Sequence, residues 1–271
     1  MTALGSRQLG RVLVALDPAA QCRAALETAA RLAAEREVEL VGLFVEESDF
    51  MQAAALPVTQ VIRGTDFVLD TLDPGKMQQG LRAWAAQARA TLDAVAERWH
   101  VRASFRVTRG SVTEALLAEA AGYDLIALGT VSRVSQRRRL GATARLMARQ
   151  APCAVMLMRG ARQSGEPVIV LYEGTQQALA LGRELAGLNH VPLVVLTPDQ
   201  ALAEAAGAWL AQQGGDAGIE VLATAAVAQL AVRLSEAAAS IVVLERKGKL
   251  GGQIDTEAVL AGPASSVVLV G

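Results

Sequence analysis

RVLVALD, from Arg11 to Asp17, returns later in the chain as PVIVLYE, from Pro167 to Glu173. Each is an apolar run of strand length that ends on an acid. A helix-forming run follows each, ALETAARLA at Ala25 to Ala33 and ALALGRELA at Ala178 to Ala186, and then a second apolar strand, ELVGLFV at 39–45 and VPLVVLT at Val191 to Thr197. Further on, YDLIALG at Tyr123 to Gly129 is matched by ASIVVLE at Ala239 to Glu245, and APCAVMLM at Ala151 to Met158 by GPASSVVLV at Gly262 to Val270. Strands that alternate with helices in this way imply parallel sheets with helices on both faces. The expected fold is therefore α/β, with two tandem doubly wound five-stranded parallel-sheet units, residues 1–161 and 162–271, joined by a Gly/Ser-containing linker from Arg159 to Glu166.

The stretch most informative about function is YDLIALGTVSRVSQRRRLGATARLMARQAPCAVMLMR, Tyr123 to Arg159. It reads strand, loop, helix, strand. Leu125 to Leu128 is an apolar run broken at Gly129, Arg145 to Gln150 has helical composition, and Pro152 forces an exit before the run Ala154 to Met158. A glycine-ended strand feeding a helix suits an anion. The glycine lets backbone approach a phosphate, and the free amides and positive dipole end of the helix favour negative charge.

This segment resembles the nucleotide loop of the universal stress protein (UspA) superfamily, whose pattern is G-x-x-G, nine further residues, G-[ST], and a P-C-P-V-like strand. Gly129, Gly141 and APCAV at Ala151 to Val155 fit it, as does the opening RVLVALD, and the resemblance covers residues 10–159. Ser132 stands in place of the second glycine and Ala142 in place of the small hydroxyl residue, in a loop one residue shorter than the family's. The resemblance implies an adenine nucleotide alpha-hydrolase-like fold and a cytoplasmic stress-response or regulatory protein that binds ATP or AMP, with Mg if a triphosphate is bound. It also implies that the two units pack as an internal pseudo-dimer through their last strands, Cys153 to Met158 and Ser266 to Val270, with a homodimer of whole chains as a further level of assembly. The implied nucleotide residues are Asp17 and Val45 for the adenosine part, and Gly129, Gly141, Ala142 and Thr143 for the phosphates, with Thr143 a displaced hydroxyl.

The residues themselves leave alternatives open. Asp17 lies where a parallel strand hands over to a helix, at the edge where open α/β sheets bind ligands; with Pro18 behind it, it also reads as a helix cap. Val45 alone reads as core. Arg137, Arg138 and Arg139 supply guanidinium groups suited to bidentate phosphate contact, or form a solvated basic loop. In the second unit Glu173 replaces the aspartate and Glu245 the first glycine, which argues against phosphate there, and the glycine-containing stretch Lys247 to Gln253 reads as flexible. Between the second and third strands of the first unit, residues 48–100 form an insertion. Leu81, Trp84, Ala85, Ala88, Leu92, Val95, Ala96 and Trp99 recur at helical spacing there, which predicts an amphipathic helix with this stripe in the core. The residues before that helix have no clear period and read as an ordered lid, a partner-binding loop or a surface crossover.

Composition narrows the function classes. At 271 residues with 52% hydrophobic content the chain can form two ordinary cores. No apolar run reaches membrane-span length and the N-terminal residues carry no signal-peptide core, so a cytoplasmic protein is expected. Cys22 and Cys153 read as small core residues rather than a disulfide framework, and with only His100 and His190 beside them no metal site is expected. Residues 1–161 hold 20 Lys+Arg against 16 Asp+Glu, while residues 162–271 hold 6 against 11, so the first unit is the better host for an anion. Interleaved charges and 3% aromatic content argue against nucleic acid as a partner. No nucleophile elbow, Walker loop or paired-histidine motif occurs, and the expectation is no enzyme. The competing functional reading is a nucleotide-independent module that contacts a partner protein through the arginine loop or Phe50 to Ile62.

Overall fold

A computed structural model describes residues 10–17, 22–47, 60–63, 68–71, 74–129, 140–158, 165–214, 217–221, 241–254, 256, 259 and 266–271. The first unit runs β1 (Arg11–Ala15), α1 (Cys22–Glu35), β2 (Glu39–Glu47), a hairpin of β3 (Gln60–Arg63) and β4 (Val68–Thr71), α2 (Pro74–Arg98), β5 (Ala103–Gly110), α3 (Val112–Ala120), β6 (Leu125–Gly129), α4 (Ala142–Gln150) and β7 (Ala154–Met158). The second runs β8 (Val168–Leu171), α5 (Gln176–Asn189), β9 (Leu193–Thr197), α6 (Gln200–Gln212), β10 (Gly218–Val221), β11 (Ile241–Glu245), a 3-10 turn at Gly251–Gln253 and β12 (Ser266–Val270).

The strands form a ten-stranded sheet in the order β10-β9-β8-β11-β12-β7-β6-β1-β2-β5. Each half is therefore the same doubly wound five-strand arrangement, with its first strand in the middle. Neighbours within a half are parallel. The junction between halves is antiparallel, pairing Ser266 with Met158, Val267 with Leu157, Val268 with Met156 and Leu269 with Val155. The last strands of the two units thus meet edge to edge and neither leaves a row of unpaired amides, which is the internal pseudo-dimer expected from sequence. Every residue of β7, β8, β11 and β12 is buried, as continuous apolar strands covered on both faces should be.

The pairing continues on one face of the sheet, where α1 packs against α5. Arg36, just past α1, makes a two-pronged contact with the Glu184 carboxylate, Nε to Oε1 at 2.6 Å and Nη2 to Oε2 at 2.5 Å. Arg31 donates to the Asn189 side-chain oxygen at 3.0 Å and lies over the Trp99 ring. The Glu184 side chain is 10% exposed, so removing its partner strands a mostly buried carboxylate. Arg36→Glu should destabilise the chain by about 1–3 kcal/mol, and adding Glu184→Arg should recover most of the loss. Urea denaturation of the two single variants and the double variant checks this; additive losses would contradict it.

One expectation for the insertion needs correction. The amphipathic helix exists, and Ala88, Leu92, Val95 and Ala96 are buried in the core, but Trp84 is 43% exposed. Full burial along the helix begins only at Ala88, with Ala85 partly buried against the same core. The stretch without clear period contains the β3–β4 hairpin, Gln60 opposite Thr71 through Arg63 opposite Val68, a sheet of its own. Residues 48–59 of this stretch lie outside the described residues.

Candidate functional site

In the first unit the strand order reverses beside β1, which has β6 on one side and β2 on the other. The chain leaves β1 toward β2 in one direction and returns through β6 in the other, opening a crevice at the carboxyl ends of β1 and β6. Asp17 lies at that edge two residues beyond β1, exposed, while Leu16 just before it turns its amide to the Leu43 carbonyl at 2.8 Å. Gly129 is the last residue of β6, opposite Met158. Val45 sits on the other side of β1, in β2 opposite Thr108, half-buried against the core. The topology thus gathers Asp17, Gly129 and Val45 at one edge. Residues 18–21, on which the capping alternative for Asp17 depends, lie outside the described residues, as do Ser132 and Arg137, Arg138 and Arg139.

Helix α4 begins at the same edge. Gly141 is its N-cap, extended at φ −60 and ψ 156, and has no side chain with which to cap the helix. A Cβ on Gly141 would meet no atom of the described residues within 4 Å. Ala142 is exposed, and the Thr143 hydroxyl lies 3.1 Å from that of Thr113. Thr113 was not identified by the sequence reading. It belongs to the first turn of α3, whose N-cap Ser111 also makes no side-chain capping bond. Two helix starts therefore converge at this edge, joined by a hydroxyl pair. Among the described residues no group of three or more His, Cys, Asp or Glu side chains is placed to hold a metal.

The corresponding edge of the second unit is filled by carboxylates. Glu173, beyond β8, accepts from the amides of Leu250 and Gly251, each at 2.7 Å. Glu245, at the end of β11 and 4% exposed, accepts from the amides of Glu173 at 2.7 Å and Thr175 at 3.1 Å. Burial and the nearby Glu245 charge push the Tyr172 phenol up from its ordinary value. A cavity of about 490 Å³ opens beside them, lined by Glu173, Thr175, Asp199, Glu245, Lys247 and Lys249 among others. The stretch 247–253, read from its glycines as flexible, is a hydrogen-bonded turn, with Gly248 N donating to Glu245 O at 3.0 Å and Gly252 N to Gly248 O at 3.0 Å. The glycines serve close approach rather than mobility. Cys153, at the unit junction, is half-buried; burial pushes its thiol up to about 11 against the opposing effect of Arg246, so it is not poised as a nucleophile.

The universal stress protein family model matches residues 9–159. A functionally unknown protein from Pseudomonas aeruginosa PAO1 aligns with 97% of this chain and 92% of its own, at 17% identity and a TM-score of 0.61. A universal stress protein homologue from Pseudomonas aeruginosa UCBPP-PA14 aligns with 97% of this chain and 93% of its own, at 18% identity and a TM-score of 0.61. A universal stress protein family protein from Arabidopsis thaliana, solved with AMP bound, aligns with 56% of this chain and 92% of its own, at 15% identity and a TM-score of 0.37. No curated protein matches the chain. With the family model spanning more than half of the sequence and one strand order repeated in both halves, the chain belongs to the universal stress protein family, with two units in tandem.

Proposed function

We propose that the first unit binds one adenine nucleotide, ATP or AMP, in the crevice between β1 and β6, and that the protein acts as a regulatory sensor rather than an enzyme. The observation that carries this reading is the glycine start of α4 at Gly141, where no described atom lies within 4 Å of an added Cβ, at the same edge as Gly129 and the reversal of strand order. The first amides and the positive end of a helix dipole favour a phosphate there. The contrast between units supports the same assignment, since the second unit has Glu245 where the first has Gly129, and its Glu173, at the position of Asp17, is already bonded to the amides of Leu250 and Gly251. The adenosine end would lie toward Asp17 and Val45, and the phosphate end toward Gly129, Gly141, Ala142 and Thr143. The described residues include no water-positioning group paired with a metal-holding carboxylate, so no hydrolytic step is assigned.

Chromatography of the supernatant after denaturing protein purified without added nucleotide tests this directly, with calorimetric titration giving the number of sites. One nucleotide per chain is expected. No binding of ATP, ADP or AMP would leave the protein-contacting module as the better account, and two equivalent sites would contradict the assignment to the first unit. Gly129→Val should lower nucleotide affinity at least about tenfold with the fold intact, because a side chain there blocks backbone approach to the phosphates. Titration of the folded variant checks this; unchanged affinity would show that the loop after β6 is not the phosphate site.

A further inference from the structure

The two glutamates of the second unit do more than repel phosphate. We propose that Glu173 is a tethered anion that permanently fills an oxyanion nest in the loop 246–252, so that the second unit is held in a ligand-occupied form without any ligand. The two oxygens of one carboxylate take two consecutive amides, Oε1 from Leu250 and Oε2 from Gly251, both at 2.7 Å. Successive backbone N–H groups directed at one point form an anion-binding concavity, and 2.7 Å is the short distance of a charge-assisted bond.

The walls of the nest are shaped to this carboxylate. A Cβ at Gly248 would lie 2.1 Å from Glu173 Oε2, and one at Gly251 would lie 3.0 Å from the same oxygen and 2.4 Å from the Glu245 carbonyl. Glu245 closes the arrangement from the other side, accepting from Glu173 N and Thr175 N. The end of β8 thereby holds the loop after β11, and the end of β11 holds the loop after β8. Among the described residues no salt bridge joins either glutamate to Lys or Arg, and Lys247 and Lys249 are exposed on the cavity rim. Backbone amides, rather than cations, therefore hold both charges. An external phosphate would have to displace Glu173 and then sit beside Glu245. The nest suits a single monovalent carboxylate, and the chain supplies its own. This inference stands on the second unit alone, whether or not the first binds nucleotide.

Chemical rescue tests it. In the full chain, Glu173→Ala should lower the thermal midpoint by about 10 °C, from the loss of two charge-assisted bonds in a unit of this size. Sodium acetate should restore much of that loss in a saturable way, compared with sodium chloride at equal ionic strength, while the parent protein shows no acetate-specific gain. An unchanged midpoint, acetate acting no better than chloride, or an equal acetate gain in the parent would each overturn the proposal. Should Glu173→Ala fail to fold, Glu173→Gln retains one acceptor oxygen and serves with hydrogen exchange. The Leu250 and Gly251 amides should exchange slowly in the parent and at least tenfold faster in Glu173→Gln. Exchange unaffected by the substitution would refute it.

Discussion

Replacing Gly182 with alanine is expected to lower the unfolding free energy by about 2–3 kcal/mol, because α5 lies too close to β8 to admit a methyl group. The added Cβ would stand 2.2 Å from Val170 Cγ2 and 3.6 Å from Val170 Cβ. Val170 is fully buried, and its branched side chain has few rotamers to retreat into. Gly42 provides the contrast. An alanine there meets the tips of Leu92 at 2.6 Å and Leu16 at 2.7 Å, the far ends of flexible side chains, and should cost less. Urea denaturation of both variants tests the ranking. Adding Val170→Ala to the Gly182 variant should return part of the loss, and failure to do so would show that the contact is not the cause.

Arg246→Ala should cost about 2–4 kcal/mol, through two carbonyl groups left without their charged donor. The Arg246 backbone amide is held by the Val270 carbonyl at 2.8 Å, which fixes the residue over the end of β12. From there its guanidinium crosses the unit boundary to the carbonyl of Ala151 and, at 3.1 Å, to that of Cys153, in the turn that leads into β7. Burial pushes this guanidinium down from its ordinary value, yet arginine remains charged at any working pH. Arg246→Lys should not rescue, since one ammonium does not reproduce the planar fork that serves two carbonyls. Calorimetry should show the lower midpoint, and an unchanged one would mean that the strand pairing alone holds the junction.

Much of this architecture was legible in the residues because buried parallel strands must be written as continuous apolar runs. RVLVALD and PVIVLYE could be read as equivalent first strands; that the last strands meet came from the family resemblance, and their antiparallel sense only from the structure. The candidate site was legible in its glycines and in Asp17, which report backbone requirements and position along the chain. Thr113 was not, since its meeting with Thr143 depends on how two helices converge, and nothing in SVTEALLAEA announces it. The glutamates at 173 and 245 were read as substitutions that remove a phosphate site. That they bind each other's loops depends on amide directions that no sequence pattern carries. The β3–β4 hairpin escaped notice because four-residue strands are too short to show an alternation.

The meeting of α1 with α5 has a consequence for what each half can join. The ends of these helices correspond closely: Glu37 and His190 both adopt left-handed backbone, at φ 55 and 52, and Val38 N and Val191 N turn back to Ala33 O and Ala186 O. By that alignment Arg31 corresponds to Glu184, and Arg36 to Asn189. The Arg36–Glu184 and Arg31–Asn189 contacts are thus the same contact seen from either side of the local two-fold axis. Two first units meeting in this way would place Arg31 against Arg36 twice, and two second units would place Glu184 against Asn189 twice with no cation. Only the mixed pairing brings an acid to a base. Fusion of the two halves has let the seam become heterotypic, so that the first half discriminates against its own copies and its proper complement is carried on the same chain.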